Sequence, residues 1–379
     1  MKLSCTRENL HRGLAITSHV GTKNVNLPIL NNVLLRADDG GLKLISTNLE
    51  IAITCNVRGK IEQQGEYTVP SKLFFDYVSL LPNERVDVDL YDDALAVSCG
   101  TSKTKIKGIP ASEFPLVPPV TGGQKYSILV DDLKSALSQV LFATATNESR
   151  PELSGVFVSF GHEAAGKSGV VLAATDSYRL AEAIVKLKTP TEARRDVIIP
   201  QRTLSELSRI ISVFKEDVEA PDALEVEVAD SQIVFRFGAV ELTSRTIEGK
   251  YPDYRQIIPT TATTEITLER SALAQAVKTV SLFSKTGLFD VATVIDPITN
   301  TMELSANDAS RGENIAVLTG EVKGGANKIT LNYRYLLDGL NAMGGEKVIL
   351  KVIDASNPCV VVPVIGAEKY QYVVMPIRQ

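Results

Sequence analysis

One arrangement of apolar and polar residues occurs three times along this 379-residue chain. A short β-prone apolar run leads directly into apolar residues at helical spacing. The segments that share this arrangement are 67–81, 197–211 and 329–340. Each predicted helix starts beside Pro70, Pro200 or Asn332. Proline suits the first turn of a helix, since the N–H that it lacks would have no partner there, and asparagine is a favoured N-cap. These starts lie 130 and 132 residues apart, so the chain reads as one module of about 130 residues used three times.

Each module also opens with a predicted amphipathic helix. The three helices are expected over about 7–19, 132–141 and 271–283. Between the helices, short segments alternate apolar and polar residues and are separated by turn sequences such as Asp-Asp-Gly-Gly at 38–41, which is typical of antiparallel strands. We therefore predict an α+β fold in which each module has two helices packed on antiparallel sheets of roughly eight strands. The predicted module boundaries are 1–122, 123–257 and 258–379.

Composition narrows the class of protein. A formal net charge of −5 with 44% hydrophobic and 22% charged residues is ordinary for a soluble globular protein. It argues against a surface covered with nucleic acid and permits a local basic lining. Four scattered cysteines without a C-x-x-C spacing predict buried, reduced thiols. The charged N-terminus and the absence of an apolar run of about 20 residues predict a cytoplasmic protein without a membrane segment.

One sequence motif points to a different function. Residues 161–168, Gly-His-Glu-Ala-Ala-Gly-Lys-Ser, satisfy the phosphate-binding P-loop pattern G-x-x-x-x-G-K-S. A P-loop needs a helix directly after the motif, because the helix N-terminus binds the phosphates, whereas the residues that follow here are Gly-Val-Val-Leu-Ala-Ala. We interpret the motif as a surface hairpin loop. A P-loop nucleotide hydrolase that depends on Lys167 is the alternative function.

Other catalytic and metal-binding patterns are not found. The three histidines, His11, His19 and His162, have no metal-ligand spacing, and no nucleophile motif or carboxylate pair occurs. We therefore predict no catalytic residue, no metal and no cofactor.

Cations recur at one position of the repeat. Lys72, Arg202 and Arg334 each stand two residues beyond a helix start. Similar modules arranged around an axis would direct all three the same way, and such a lining suits a polyanion that is bound through its phosphates and not read for sequence. The first helices supply further candidates, namely Arg7, Arg12, Lys134, Arg270 and Lys278.

Several strings, in order along the repeat, resemble the bacterial sliding clamps, which are the beta subunits of DNA polymerase III. These strings are Leu27-Pro-Ile-Leu, Val69-Pro-Ser-Lys-Leu-Phe-Phe-Asp, Ala174-Thr-Asp-Ser-Tyr-Arg-Leu-Ala, Tyr251-Pro-Asp-Tyr-Arg and Tyr372-Val-Val-Met-Pro-Ile-Arg. The resemblance covers essentially the whole chain. It implies a head-to-tail homodimer whose six modules form a ring around double-stranded DNA, with the helices lining the hole. It also implies a non-catalytic processivity factor whose partners are the clamp loader, the replicative DNA polymerase and other proteins that carry a clamp-binding motif.

The resemblance also implies three sets of site residues. The DNA-binding set is Lys23, Asn24, Lys72, Asn147, Gln201, Arg202 and Arg334. The cleft that binds a short apolar partner peptide, between modules two and three, is Arg150, Leu153, Thr175, Ser177, Tyr178, Arg179, Leu180, Pro252, Ile257, Val373, Val374, Met375, Pro376, Ile377 and Arg378. The dimer seam is Lys103, Thr104 and Ile106 against Leu282 and Phe283.

The chain departs from the family pattern at two sites. Tyr178, Gln256 and Gln379 replace a histidine, an arginine and a leucine in the cleft, which changes the expected peptide preference. Pro151-Glu152 stands where many relatives have a tyrosine pair that touches the duplex, so we expect no such DNA contact here.

Overall fold

The structure is a computed structural model that describes residues 1–21, 27–146, 150–164, 167–191, 193–214 and 220–378. The α-helices in this part of the chain are α1 (Arg7–Thr17), α2 (Ser71–Ser79), α3 (Val130–Val140), α4 (Gln201–Val213), α5 (Arg270–Ser281) and α6 (Tyr333–Ala342). All six were predicted, two for each module. Within the described residues, no helix is long and apolar enough to cross a membrane.

The strands fall into three similar sets. In module one they are β1 (Lys2–Thr6), β2 (Asn32–Asp38), β3 (Gly41–Thr47), β4 (Ile51–Val57), β5 (Gly59–Gln63), β6 (Gly65–Pro70), β7 (Arg85–Tyr91), β8 (Ala94–Cys99) and β9 (Ser102–Lys107). In module two they are β10 (Gln124–Leu129), β11 (Gly155–Ala164), β12 (Lys167–Thr175), β13 (Arg179–Lys186), β14 (Arg195–Pro200), β15 (Ala223–Val228), β16 (Gln232–Phe237) and β17 (Val240–Arg245). In module three they are β18 (Thr264–Glu269), β19 (Asp290–Asp296), β20 (Thr301–Asp308), β21 (Gly312–Thr319), β22 (Glu321–Gly324), β23 (Asn327–Asn332), β24 (Lys347–Val352), β25 (Cys359–Pro363) and β26 (Tyr370–Val374).

The end of α2 differs from the prediction. The pattern places the helix end near Leu81, whereas α2 stops at Ser79. Leu80 and Leu81 form a tight turn in which their N–H groups donate to Tyr77 and Val78. Pro82 follows, and a proline disfavours the helical conformation of the residue before it.

The sheets do not stop at module boundaries. The chain forms two compact units, Met1–Val130 with Thr203–Thr246, and Asp131–Arg202 with Ile247–Gln379. Unit 1 contains the sheets β5-β1-β7-β8-β9 and β10-β15-β16-β17-β4-β3-β2-β6, so the second sheet joins strands of modules one and two. Unit 2 contains the sheets β14-β11-β12-β13-β26-β25-β24-β18-β22 and β21-β20-β19-β23, so its larger sheet joins modules two and three. The strands of module two are therefore divided between the units.

The helices cover one face of the sheets and bury it. In unit 1, α1 packs against α2 and β4. Leu10, Leu14, Phe74 and Val78 from these helices share one core with the apolar side chains of β1, β2, β3, β7 and β8. This arrangement of helices against antiparallel sheets is the predicted α+β architecture.

All four cysteines are free and buried, as predicted. Burial raises the pKa of Cys5, Cys55 and Cys359 to about 12. These thiols are therefore protonated near neutral pH and behave as small apolar side chains.

Arginines from neighbouring elements cap the C-termini of three helices. Arg7 donates to the Val78 and Ser79 carbonyls at the end of α2, at 3.2 and 2.7 Å. Arg270 donates to the Leu340 carbonyl in α6, at 3.1 Å, and Arg209 donates to two carbonyls in the last turn of α1. The helix dipole favours cations at these ends. Arg7 and Arg270, two of the cations that we expect in a DNA-facing lining, thus use their guanidinium groups as helix caps.

Prediction for the α6 cap. Asn332 accepts hydrogen bonds from the Arg334 and Tyr335 N–H groups through its side chain. The substitution Asn332→Ala removes this acceptor and should lower the free energy of unfolding by about 1 kcal/mol, measured by urea denaturation. Asn332→Asp keeps an oxygen at the same place and is the matched control. An alanine variant as stable as the aspartate variant would contradict this role.

Candidate DNA-contacting and partner-binding surfaces

The three repeated cations occupy one structural position. Lys72, Arg202 and Arg334 are each the second residue of their helix, in α2, α4 and α6, and each is exposed. A cation at a helix N-terminus opposes the helix dipole and costs about 0.3–1 kcal/mol. The helix dipole therefore does not explain this placement. An anion at the same place would be attracted both by the side chain and by the N–H groups of the first turn.

Two of these cations contact a neighbouring side chain. The Lys72 ammonium lies 3.2 Å from the Asp76 carboxylate, one turn further along α2. The Arg334 guanidinium lies over the Phe289 ring, 3.7 Å from its centroid. Gln201, the first residue of α4, is half-exposed beside Arg202. The other predicted DNA-contacting residues, Lys23, Asn24 and Asn147, lie outside the described residues.

The predicted partner cleft is built on the pairing of β13 with β26. Arg179 pairs with Val374 and Leu180 with Val373. Strand β26 ends at Val374, and the Met375 N–H then donates to the Tyr178 carbonyl at 2.9 Å. The residues that follow, Met375-Pro376-Ile377, are half-buried, and the Ile377 N–H donates to the Thr330 carbonyl at 2.8 Å. The C-terminal tail is therefore fixed at two points.

At the predicted cleft, a buried apolar cluster, here called the floor, lies beside exposed side chains, here called the rim. The buried floor residues form one cluster: Leu153, Ala173, Leu180, Ile198, Tyr251, Tyr254, Val360, Val362 and Val373. On the rim, Tyr178 is 63% exposed and Ile257 is also exposed, while Pro252 is half-buried. Val374 and Thr175 are buried, so their side chains support the floor from within.

Arg179 is enclosed and does not line the cleft as an open cation. Its side chain is 12% exposed. The guanidinium donates to the Asp176 carboxylate at 2.9 Å and to the Phe142 carbonyl at 2.7 Å, and it also pairs with Asp338. Its face lies 4.6 Å from the Tyr335 ring centroid. This network holds the turn that presents Ser177 and Tyr178. Arg150 is exposed, and its contact to the Ser177 hydroxyl is long, at 3.4 Å.

A buried hydrogen-bond network under the cleft was not predicted. The Tyr254 hydroxyl donates to the Glu182 carboxylate at 2.5 Å, and Gln371 donates to the other carboxylate oxygen at 2.7 Å. Burial, together with the charge of Glu182, raises the pKa of Tyr254 far above its ordinary value, so the hydroxyl remains a donor. The string Tyr251-Pro-Asp-Tyr-Arg marked the loop, but no pattern in the sequence links it to Glu182.

The predicted seam residues of module one lie on the edge strand β9, and those of module three follow α5, which packs against β21. Strand β9 is the edge of the first sheet of unit 1 and β21 is an edge of the four-stranded sheet of unit 2. On β9, Lys103 is exposed and Thr104 half-exposed, whereas the Ile106 side chain is buried in the core. Leu282 is 67% exposed after α5, so it is not a core residue. Ile315 and Val317, which the sequence analysis did not single out, are exposed within the apolar run 315–318 of β21.

The P-loop motif lies on a β-hairpin. Strand β11 pairs with β12 in antiparallel register, with Ala164 opposite Lys167. Strand β12, and not a helix, follows the motif, which confirms the interpretation as a hairpin. Among the described residues, no group of three or more His, Cys, Asp or Glu side chains is placed to hold a metal ion.

Comparison with known proteins finds one protein family along the chain. Family models of the DNA polymerase III beta subunit match it in three parts: the N-terminal domain over residues 1–118, the central domain over 127–253 and the C-terminal domain over 255–378. The beta sliding clamp of Synechococcus elongatus is 32% identical over 383 residues, which covers 100% of this chain and 99% of that protein.

Solved structures are similar over the same length. The crystal structure of the DNA polymerase III beta subunit from Thermotoga maritima matches with a TM-score of 0.91 at 25% identity, covering 100% of this chain and 99% of that one. A sliding clamp from Pseudomonas aeruginosa bound to griselimycin matches with a TM-score of 0.91 at 26% identity, covering 100% of both chains.

Prediction for the network under the cleft. Tyr254→Phe keeps the ring that packs against Phe157 but removes the donor to the buried Glu182 carboxylate. A buried acceptor that loses its partner costs about 1–3 kcal/mol, so the free energy of unfolding should fall by that amount in urea denaturation. Tyr178→Phe removes an exposed hydroxyl and is the matched control, with an expected change within about 0.5 kcal/mol. Equal effects of the two substitutions would contradict this role.

Proposed function

Since the chain belongs to the family of DNA polymerase III beta subunits and is a non-catalytic DNA sliding clamp, we propose that it acts as a head-to-tail homodimer whose six modules encircle duplex DNA. DNA and a DNA polymerase are its partners in this role. The proposal adds the closed ring, the residues that face the duplex, the seam and the partner cleft. It also adds the clamp loader and other clamp-binding proteins as partners, and the cytoplasm as the place of action.

The observation that carries the proposal is the position of Lys72, Arg202 and Arg334. Three modules place a cation at the second residue of their second helix, where it opposes the helix dipole. In a ring built from repeats, these helix starts would face the duplex. Contacts of this kind depend on phosphates and not on base edges, so the ring could move along any sequence.

Enclosure explains how weak contacts give long residence. Phosphate contacts are individually weak and sensitive to salt, which allows sliding but would permit dissociation. A closed ring prevents this dissociation, because the protein can leave the DNA only when the ring opens or when it reaches a DNA end. One chain of 379 residues is too small to surround a duplex about 20 Å wide, which supports a ring of two chains.

The seam would join the edges of two sheets. Strands β9 and β21 each lie at an edge of their sheet, and edge strands carry backbone groups that can pair with another chain. Lys103, Lys105 and Lys107 are exposed along β9, and Ile315, Val317 and Leu282 are exposed at or near β21. We propose that β9 of one protomer pairs with β21 of its partner, with Leu282 and Phe283 packed beside the ladder.

The cleft would bind a short apolar segment of each partner protein. Its floor of Leu153, Leu180 and Val373 is apolar, and the neighbouring Met375 is a flexible side chain that adapts to different ligands. Tyr178 offers an exposed ring on the rim. A shared peptide site would let the clamp loader and the polymerase use the ring in turn.

Prediction for the closed ring. The protein is loaded onto nicked circular plasmid with a clamp loader and ATP, and half of the sample is then cut once with a restriction enzyme. The ring should remain with circular DNA in gel filtration and be lost from the linear form, because a cut DNA end opens an exit. Blocking both ends of the linear DNA with bound protein should restore retention. Equal loss from circular and linear DNA would refute enclosure.

Prediction for the cationic positions. The triple change Lys72→Ala, Arg202→Ala, Arg334→Ala should weaken DNA binding and reduce the slope of log affinity against log salt, by about 0.9 for each phosphate that the protein no longer neutralises. Dimerisation should not change. The control variant, Lys60→Ala, Lys323→Ala, Lys347→Ala, removes the same net charge from exposed strand positions. An equal salt slope in the two variants would rule out a specific lining.

A further inference from the structure

The turn that presents Tyr178 in the proposed cleft occurs a second time, in unit 1. In segment 175–179, the Thr175 hydroxyl donates to the Arg179 carbonyl, the Asp176 carboxylate accepts from two backbone N–H groups, and Ser177 has φ +79°. Segment 47–51 has the same bonds in the same order, made by Thr47 and Asn48, and Leu49 has φ +77°. The two turns therefore have one backbone geometry.

The elements around the turn repeat as well. The Arg245 N–H donates to the Glu50 carbonyl at 3.1 Å, as the Met375 N–H does to Tyr178. The 3₁₀ turn after Leu27 begins with φ −133° and ψ 78°, and that after Arg150 with φ −134° and ψ 79°. Unit 1 thus repeats the turn, the backbone contact beside it and the start of the 3₁₀ turn at the junction of modules one and two.

The floor of this second scaffold is also apolar. Its buried cluster is Ile29, Leu30, Leu34, Ile45 and Phe114, with Ile109, Ala111 and Val117 packed against it. Register places Leu34 opposite Ile45, as it places Phe157 opposite Ala173 in unit 2. Phe114-Pro115 corresponds to Tyr251-Pro252 in the sequence repeat.

The rim of the second scaffold exposes large apolar side chains. Leu27 is 45% exposed, Leu49 is 53% exposed and Leu116 is 92% exposed. Leu27 and Leu49 stand where unit 2 has Arg150 and Ser177, whose side chains are in contact. Leu27 and Leu116 each lie two residues from a member of the buried cluster, Ile29 and Phe114, and exposed apolar patches mark interaction sites in soluble proteins.

Leu49 is unfavourable for the folded chain on two counts. A positive φ is costly for a residue with a branched side chain, and asparagine or glycine is the usual choice there. Its apolar side chain is also more than half exposed and gains little from burial. Neither stability nor solubility explains a leucine at this position, whereas a ligand that covers it would.

We propose that the junction of modules one and two is a second docking site for a short, extended apolar peptide of a partner protein. Glu50 and Arg245, both exposed, replace Tyr178 and Met375 on its rim. Glu50 and Arg245 are backbone neighbours, so the preferred peptide carries an acidic and a basic residue together at one end of its apolar core. The inference rests on the proposed peptide cleft of unit 2, whose scaffold it shares.

The experiment counts peptides bound to the full-length dimer. The probe is the fluorescein-labelled peptide Leu-Leu-Leu-Phe-Asp-Lys, and its control has serine in place of the four apolar residues. Three proteins are titrated: the wild type, the second-site variant Leu49→Asn, Leu116→Asn, and the cleft variant Tyr178→Ala, Ile257→Ala. The expected result is two peptides per chain for the wild type and one for each variant, with affinity at the altered site at least about tenfold weaker.

A stability measurement separates binding from folding. Asparagine is tolerated at positive φ, so Leu49→Asn alone should leave the thermal midpoint unchanged or raise it while it removes the second binding event. A purely structural role for Leu49 would lower the midpoint instead, and that result would overturn the proposal.

The remaining outcomes are also decisive. One peptide per chain in the wild type, lost only in the cleft variant, would overturn the second site and leave the cleft intact. Binding to neither site, with retention on circular DNA, would overturn both peptide sites and leave the ring. Assembly of the wild type beyond a dimer that Leu49→Asn abolishes would show that another copy of the chain covers this surface, which also overturns the proposal.

Discussion

The backbone ladders that join one module to the next are the constraint on which the rest of this structure depends. Strand β4 of module one pairs with β17 of module two, and β13 of module two pairs with β26 of module three. A slip of one residue in either ladder would exchange the buried and exposed faces of the strand. The ladders therefore fix where the turns at 47–51 and 175–179 lie. They also explain why three sequence repeats give two compact units, since neither junction sheet is complete without strands from module two.

Cationic side chains stand at both ends of the helices in this chain, and their position relative to the helix dipole distinguishes two sets. Arg7, Arg209 and Arg270 donate to carbonyls at helix C-termini, where the dipole favours a cation. Lys72, Arg202 and Arg334 stand at helix N-termini, where the dipole disfavours one. The helix dipole favours the first set and opposes the second, and we explain the second by an anionic ligand. A net charge of −5 is compatible with both, because sliding on DNA requires a local field and not a basic protein.

The sequence allowed the helices, the modules, the hairpin character of the P-loop motif and the fold class to be predicted. Each of these depends on local periodicity or on the repeat, which a single chain displays directly. Three site features were not predicted, because they depend on contacts between distant residues. Glu182 meets Tyr254 only because β13 and the 254–257 turn pack together. Arg179 looks like an open cation in the sequence but is enclosed by Asp338 and Tyr335. The bonds of Arg7 and Arg270 to helix ends were invisible for the same reason.

The two junctions share the backbone of a turn but differ in the side chains that this turn exposes. Peptide bonds and small polar side chains, such as Thr47 and Thr175, make the same turn at both junctions. The third residue of each turn, Leu49 or Ser177, has no part in those bonds through its side chain, so this position can differ without loss of the turn. Leu49 and Ser177 share a strained φ but present opposite chemistry to the surface. The two junctions therefore have the same turn geometry but different exposed side chains. A difference in function between them would depend on the side chains on the rim.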